Sequence, residues 1–183
     1  MPKPSSPLKQ KILLLLLAGI ALGLARTPYR QWRIIKEFQK EWRHIDEKKL
    51  QSEISQLYQS KLVEKRQNSD GSCTVLLTER GKLRALTYHF RSMRIERKPW
   101  DGKWRIVMFD VPEKLRHGRD ALREKLKSLG FFELQKSVFV FPWECKDEID
   151  FIIEFFQMRK FARTAVVESI DNSPDLKRHF QLP

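Results

Sequence analysis

Fourteen consecutive residues, Ile12–Ala25, carry no charge, and so apolar a run has to leave water somewhere. Three destinations are open to it. A membrane span needs about 20 apolar residues, more than this run supplies. Lys9, Gln10 and Lys11 ahead of it and Gly23-Leu24-Ala25 at its end have the make-up of a secretory signal. The third destination is a protein core, and we read the run as a buried first helix, because the next segment of the chain needs one to complete its own core. Cell fractionation separates this reading from export or anchoring. Met1–Pro7, with three prolines and two serines, reads as a frayed tail.

Thr27-Pro28 opens a second helix, with Pro at the first helical position. Trp32, Ile35, Phe38 and Trp42 recur at three to four residues and give it one apolar face. Asp46 is a suitable N-cap for a third helix. There Leu50, Ile54, Leu57 and Tyr58 are expected to pack inward, while Lys48, Lys49, Ser52, Ser55, Gln56 and Gln59 face out. That outer face lacks acidic side chains and suits base edges and phosphates in a major groove, although an ordinary solvated face looks the same. The residues after this helix favour the groove. Leu62–Gln67 reads as a strand, Asn68–Gly71 as a turn and Cys73–Thr78 as a returning strand, a hairpin with Lys65 and Arg66 near its tip. Thr78 caps a further helix with Leu83, Leu86 and Phe90 as its buried side. Three helices, a hairpin and a helix is the order of a winged helix-turn-helix.

Charge divides the chain. Up to Lys98 there are 21 Lys and Arg against 9 Asp and Glu; beyond it, 15 against 14. The net charge of +13 therefore sits almost wholly in the first half. A basic half joined to a neutral one points to a polyanion for the first and protein contacts for the second. Cys73 and Cys145 form no CxxC or Cys/His cluster, which argues against structural zinc and a disulfide framework and fits a reducing, cytoplasmic setting.

The second half alternates strand and helix. An apolar strand from Trp104 runs to Asp110 and stops at Pro112; Lys114–Leu129 is a helix with Leu115, Leu122, Leu126 and Leu129 inward, closed by Gly130. Phe131–Leu134 and Ser137–Phe141 are short strands, Asp147–Phe156 a helix, and Ala165–Ser169 a last strand. The order β-α-β-β-α-β is ferredoxin-like. The expected fold class is thus α+β: a winged helix-turn-helix over residues 8–91, a basic linker at 92–99, a ferredoxin-like dimerisation domain at 100–172 and a tail at 173–183.

Trp104–Pro112, Gly130-Phe131 and Gln135–Val140 resemble the central domain of the PaaX family of bacterial transcriptional repressors. That domain is itself similar to the small ferredoxin-like subunit of the CRISPR adaptation complex, a homodimer. The winged-helix half matches the regulators and has no counterpart in that minimal subunit. The resemblance, over roughly residues 8–170, implies a homodimer binding double-stranded DNA at a palindromic operator. Lys48, Lys49, Ser52, Ser55, Gln56 and Gln59 then read the groove, Lys65 and Arg66 contact the backbone from the wing, and Arg30 and Arg33 hold phosphates. Family regulators continue into a further C-terminal domain, whereas the sequence ends at Pro183. They also respond to an aryl-acyl thioester of coenzyme A, a ligand not carried over here because no glycine-rich phosphate loop supports it. The effector stays open.

Asp110 is the one serious catalytic candidate. Its position at the end of the first strand matches an aspartate that the adaptation subunits associate with metal-dependent nuclease activity. Two such carboxylates meeting across a dimer suit Mg2+, with Glu113 in reach as an assistant. The bland alternative is that Asp110 caps the following turn, with Pro112 and Glu113 in its first positions. His44, His89, His117 and His179 show neither metal nor triad spacing. The expectation is a regulator without cofactor, with Mg2+ only if the nuclease alternative holds, and no membrane partner.

Overall fold

The computed structural model describes residues 6–24, 47–71 and 73–183. The chain divides into two compact units, Met1–Ser92 and Met93–Pro183.

In the first unit, α1 (Pro7–Leu24) contains most of the uncharged run, followed by α2 (Glu47–Gln59), β1 (Val63–Gln67), β2 (Cys73–Leu77) and α3 (Glu79–Ser92). Ile12 and Leu13 of α1 are buried in one cluster with Leu57, Val63, Leu77, Ala85 and Tyr88. The run's described side chains therefore end in protein, and each fully buried leucine contributes about 1.5–3 kcal/mol. Among the described residues, no helix is long and apolar enough to cross a membrane. The second predicted helix, with Trp32, Ile35, Phe38 and Trp42, and the Asp46 cap lie outside the described residues.

Helix α2 ends in a left-handed turn. Lys61 has φ +57°, its amide donates to Tyr58 O, and the Leu62 amide reaches back to Leu57 O at 3.0 Å. This pair of bonds satisfies carbonyls the helix would otherwise leave open and turns the chain directly into β1. Strands β1 and β2 pair antiparallel from Val63↔Leu77 to Gln67↔Cys73, with Gly71 at φ +81° in the connecting turn. Thr78 caps α3, its hydroxyl accepting the Gly81 amide at 3.0 Å and donating to Lys61 O at 2.8 Å.

Two inward assignments in this unit are corrected. Tyr58 is 52% exposed: Leu50 and Leu57 set the buried stripe of α2, and Tyr58, one residue beyond, falls on its flank. Leu83 is 68% exposed. The inner stripe of α3 is Gly81, Ala85 and Tyr88, because Gly81 lies against the Leu62 backbone, where a Cβ has no room. That contact fixes the helix's rotation and turns Leu83 to solvent; Leu86 and Phe90 end half-buried.

The second unit runs β3 (Trp104–Phe109), a 3₁₀ turn (Glu113–Leu115), α4 (Arg116–Ser128), β4 (Phe132–Gln135), β5 (Val138–Phe141), α5 (Lys146–Phe155), β6 (Ala162–Val167) and α6 (Ser173–Phe180). Its sheet has the order β4-β5-β3-β6, antiparallel throughout. The order interlocks two β-α-β units, each with a strand of the other between its own two. Gly130, at φ +91°, ends α4, with the Gly130 amide on Lys127 O and the Phe131 amide on Leu126 O. Val107, Phe109 and Phe139 are buried, as are Leu122 and Leu126 of α4 and Ile149, Ile152 and Ile153 of α5.

The opposite alternation of the sheet brings Trp104 and Val140 into a second cluster with Leu176 of α6. The expected tail at 173–183 is thus a helix: Leu176 and Phe180, one turn apart, give it an apolar stripe to bury. Leu115 lies in the 3₁₀ turn and is exposed, not on the inner side of the helix. The last strand begins at Ala162, three residues before the expected start, and ends at Val167.

Candidate nucleic-acid interface

Helix α2 presents Lys48, Lys49, Ser52, Ser55, Gln56 and Gln59 to solvent. Their spacing places Lys48, Ser52, Ser55 and Gln59 along one line, with Gln56 on one flank and Tyr58 on the other. Both flanks are tied to neighbouring elements. On the first, Lys9 Nζ of α1 donates to Gln56 Oε1 at 2.6 Å and lies 3.5 Å from Glu53 Oε2, while Ser6 Oγ donates to Glu53 Oε1 at 2.7 Å. On the second, Lys65 Nζ of β1 sits 5.6 Å from the centroid of the Tyr58 ring. The groups along the line are partly engaged: Gln56 Nε2 reaches Ser52 Oγ at 3.5 Å, and Ser55 Oγ donates to Gln51 O at 2.9 Å. Gln59 is the freer polar end among the described residues. Arg30 and Arg33 lie outside the described residues.

The two units treat their cations differently. Lys48, Lys65 and Arg66 are exposed, and no carboxylate among the described residues pairs with them. In the second unit Arg116, Arg119, Arg123, Arg159 and Arg178 each lie within 4.0 Å of a carboxylate. Lys127 shares Glu133 with Arg123, both at 2.7 Å, and these two cations hold the Glu133 carboxyl below its ordinary range. In the first unit Lys9 and Lys82 are paired with Glu53 and Glu79, but Lys48, Lys65 and Arg66 beside the polar face of α2 have no such partner among the described residues. Uncompensated cations beside a polar helix face are what a phosphate backbone neutralises, with release of its counterions.

The remaining candidates sit in the second unit. Asp110 is exposed just past β3, held by its backbone N–H, which donates to Phe161 O at 2.9 Å. It caps nothing: neither the 3₁₀ turn nor α4 has a side-chain cap. Glu113, the suggested assistant, is taken by Arg119 at 3.1 Å and Arg116 at 3.9 Å. Among the described residues, no three His, Cys, Asp or Glu side chains gather as metal ligands. Cys145 is buried, and burial, with Glu148 and Glu144 nearby, pushes its thiol up to about 12. A thiol so held stays protonated and packs as a small apolar side chain.

Two residues on the interface escaped the sequence reading, Lys9 and Tyr58. Lys9 was visible only as a charge before an apolar run; that it reaches a residue 47 positions away depends on how α1 and α2 pack.

Residues 97–178 match the family model described as the PaaX protein central Cas2-like domain. The interlocked four-stranded sheet fits that description, and this half of the chain is PaaX-like. No curated protein matches the chain.

Proposed function

We propose that this PaaX-like chain is a DNA-binding transcriptional regulator, working as a homodimer in the cytoplasm and acting as a repressor at a palindromic operator. The observation that carries the reading is the positive charge of Lys48, Lys65 and Arg66 around the polar face of α2, which no carboxylate among the described residues compensates, whereas Arg116, Arg119, Arg123, Arg159 and Arg178 of the second unit are paired. The described elements α1, α2, β1, β2 and α3 are compatible with a winged helix whose second helix falls on residues outside those described. On this reading α2 enters the major groove, with Lys48, Lys49, Ser52, Ser55, Gln56 and Gln59 toward the bases. Lys65 and Arg66 meet the backbone from the hairpin, and Arg30 and Arg33 hold phosphates. The second unit joins two chains along β6, so that each presents one α2 to a half-site, and an occupied promoter is occluded.

One observation supports a second reading. The Asp110 carboxylate is exposed and has no side-chain partner among the described residues, as a metal-dependent nuclease acting through a pair of such groups requires.

A DNA titration of the purified chain at two salt concentrations, with magnesium and with chelator, resolved on a gel, tests both. The regulator gives a retarded, intact band that weakens with salt and ignores magnesium. Shortening of the DNA that needs magnesium and disappears in Asp110→Ala selects the nuclease. Unretarded, uncut DNA at low salt removes both.

A further inference from the structure

The polar face of α2 and the hairpin are joined at one point, where β1 passes the end of the helix. Tyr58 lies on the last turn of α2, its ring 52% exposed and its hydroxyl without a hydrogen bond among the described residues. The left-handed turn at Lys61 brings the chain into β1 within three residues. Strand alternation then puts Lys65 on the same face as the buried Val63, the face turned to α2. Lys65 thus reaches the Tyr58 ring, 5.6 Å from its centroid, with no carboxylate among the described residues paired to it. Glu64, the nearest acid in sequence, alternates to the opposite face. Lys61 is exposed in the turn between Tyr58 and Lys65, and Arg66 is exposed on the face of Glu64.

An exposed aromatic ring that holds a lysine, with a hydroxyl to donate and no acid on the same face of the strand, suits the non-bridging oxygens of a monoanionic phosphodiester. The ammonium supplies charge, the phenol supplies a donor, and the ring restricts the lysine's rotamers before binding. Resting on the DNA-binding reading, we propose that Tyr58 and Lys65 form one clamp for a single phosphate of the DNA backbone. The Tyr58 hydroxyl donates to a phosphate oxygen and the Lys65 ammonium pairs with the same group. The clamp fixes where the strand crosses from α2 to the hairpin and so sets the register in which α2 meets the bases. Tyr58 is both a contact and the positioning residue for Lys65.

The experiment is a fluorescence-anisotropy titration of the full chain against labelled duplex DNA across a series of KCl concentrations, comparing wild type with Tyr58→Phe, Tyr58→Ala, Lys65→Gln and the double variant Tyr58→Ala/Lys65→Gln. Lys65→Gln lowers the slope of log affinity against log salt by about one. Tyr58→Phe keeps the ring and the slope but weakens binding about 10- to 100-fold, the effect of one lost hydrogen bond to a charged group. The double variant binds more tightly than the product of the two single losses predicts, because the groups share one phosphate. Tyr58→Phe, which has no packing to lose, keeps the test open should Tyr58→Ala unfold. Wild-type affinity and slope in Tyr58→Phe, or strictly multiplicative losses in the double variant, overturn the clamp while leaving DNA binding intact. Failure of the wild-type chain to bind duplex DNA at low salt overturns the DNA-binding reading itself, and the clamp with it.

Discussion

A single buried guanidinium organises the start of the second unit. Arg105 is 8% exposed and lies on β3, opposite Phe141 on one side and Val166 on the other. Its Nη1 and Nη2 donate to the two Asp101 carboxylate oxygens, each at 2.6 Å, and Nη1 also reaches Pro142 O at 2.8 Å and Lys103 O at 2.9 Å. A lysine cannot span this set, because only the planar fork meets both carboxylate oxygens and a carbonyl beside them. The fork's hydrogen bonds hold the Asp101 carboxyl well below its usual range, at about 2. A carboxylate depressed in the folded state contributes stability that is present above its unfolded value near 3.8 and is lost as pH falls through the folded one. The wild-type chain is therefore expected to be more stable than Asp101→Asn at pH 6, with the difference shrinking between pH 4 and pH 2. Chemical denaturation at a series of pH values checks this, and a difference that stays constant down to pH 2 rejects the assignment. Gly81 makes a second residue-scale prediction. Its Cα faces the Leu62 carbonyl, and a methyl there meets backbone that cannot swing aside. Gly81→Ala, although it raises intrinsic helix propensity, is expected to destabilise the first unit by about 1–3 kcal/mol. A Tm equal to or above wild type would show that α3 shifts at no cost.

At the scale of elements, the segments legible in the sequence were those whose apolar pattern has one solution. Trp104–Phe109 is a short apolar run with Pro112 beyond it, Gly130 stands where a left-handed residue must end α4, and Thr78 precedes a helix at capping distance. Helix α3 shows how the same logic fails. Leu83, Leu86 and Phe90 are spaced as well as any amphipathic stripe, yet the buried side is Gly81, Ala85 and Tyr88. Small residues allow close approach of backbones and carry almost no hydrophobic signal, so a stripe built from them is silent in the periodicity. Helix α6 was missed for a related reason: in Ser173–Phe180 only Leu176 and Phe180 are apolar, too few for a pattern, and their burial against Trp104 is a tertiary fact. The candidate interface divides the same way. The excess charge and the polar face of α2 can be counted from residues, but not that Arg123 and Lys127 share Glu133 while Lys65 pairs with no acid among the described residues. Element packing also predicts a functional variant. Lys9 ties α1 to Gln56 and Glu53, so Lys9→Met is expected to free the Gln56 amide and change sequence preference more than overall affinity. Competition binding between specific and random duplexes measures that split, and an equal loss on both places Lys9 among the general phosphate contacts instead.

For the whole molecule, the proposed dimer turns on which edge of the sheet a second chain can reach. The order β4-β5-β3-β6 leaves two edges, and they are unlike. Strand β4 has four residues and an irregular register between Glu133 and Gln135, and Glu133 is engaged by Arg123 and Lys127. Shortness, irregularity and charge are the features that keep an edge from pairing. Strand β6 has six residues in unbroken register with β3, no proline or glycine, and Val166 61% exposed. Arg163, its one charge, folds its guanidinium onto the carbonyls of Arg159, Lys160 and Ala162, which leaves the strand without a projecting charge to repel a partner. Antiparallel pairing of two β6 edges about a two-fold axis extends the sheet across the dimer and presents the same surface from both chains. Val166→Lys places two like charges near that axis and is expected to shift the chain from dimer to monomer, while Gln135→Lys on the other edge leaves it dimeric. Sedimentation velocity over a range of concentrations reads both variants directly. The DNA consequence is geometric: losing the dimer removes the effective concentration that lets the second α2 find its half-site, so affinity for a two-fold site falls by about 10²-fold or more while affinity for an isolated half-site is unchanged. A Val166→Lys chain that remains dimeric moves the interface away from β6, and a wild-type chain that sediments as a monomer even when bound to DNA removes the palindromic mode of reading altogether.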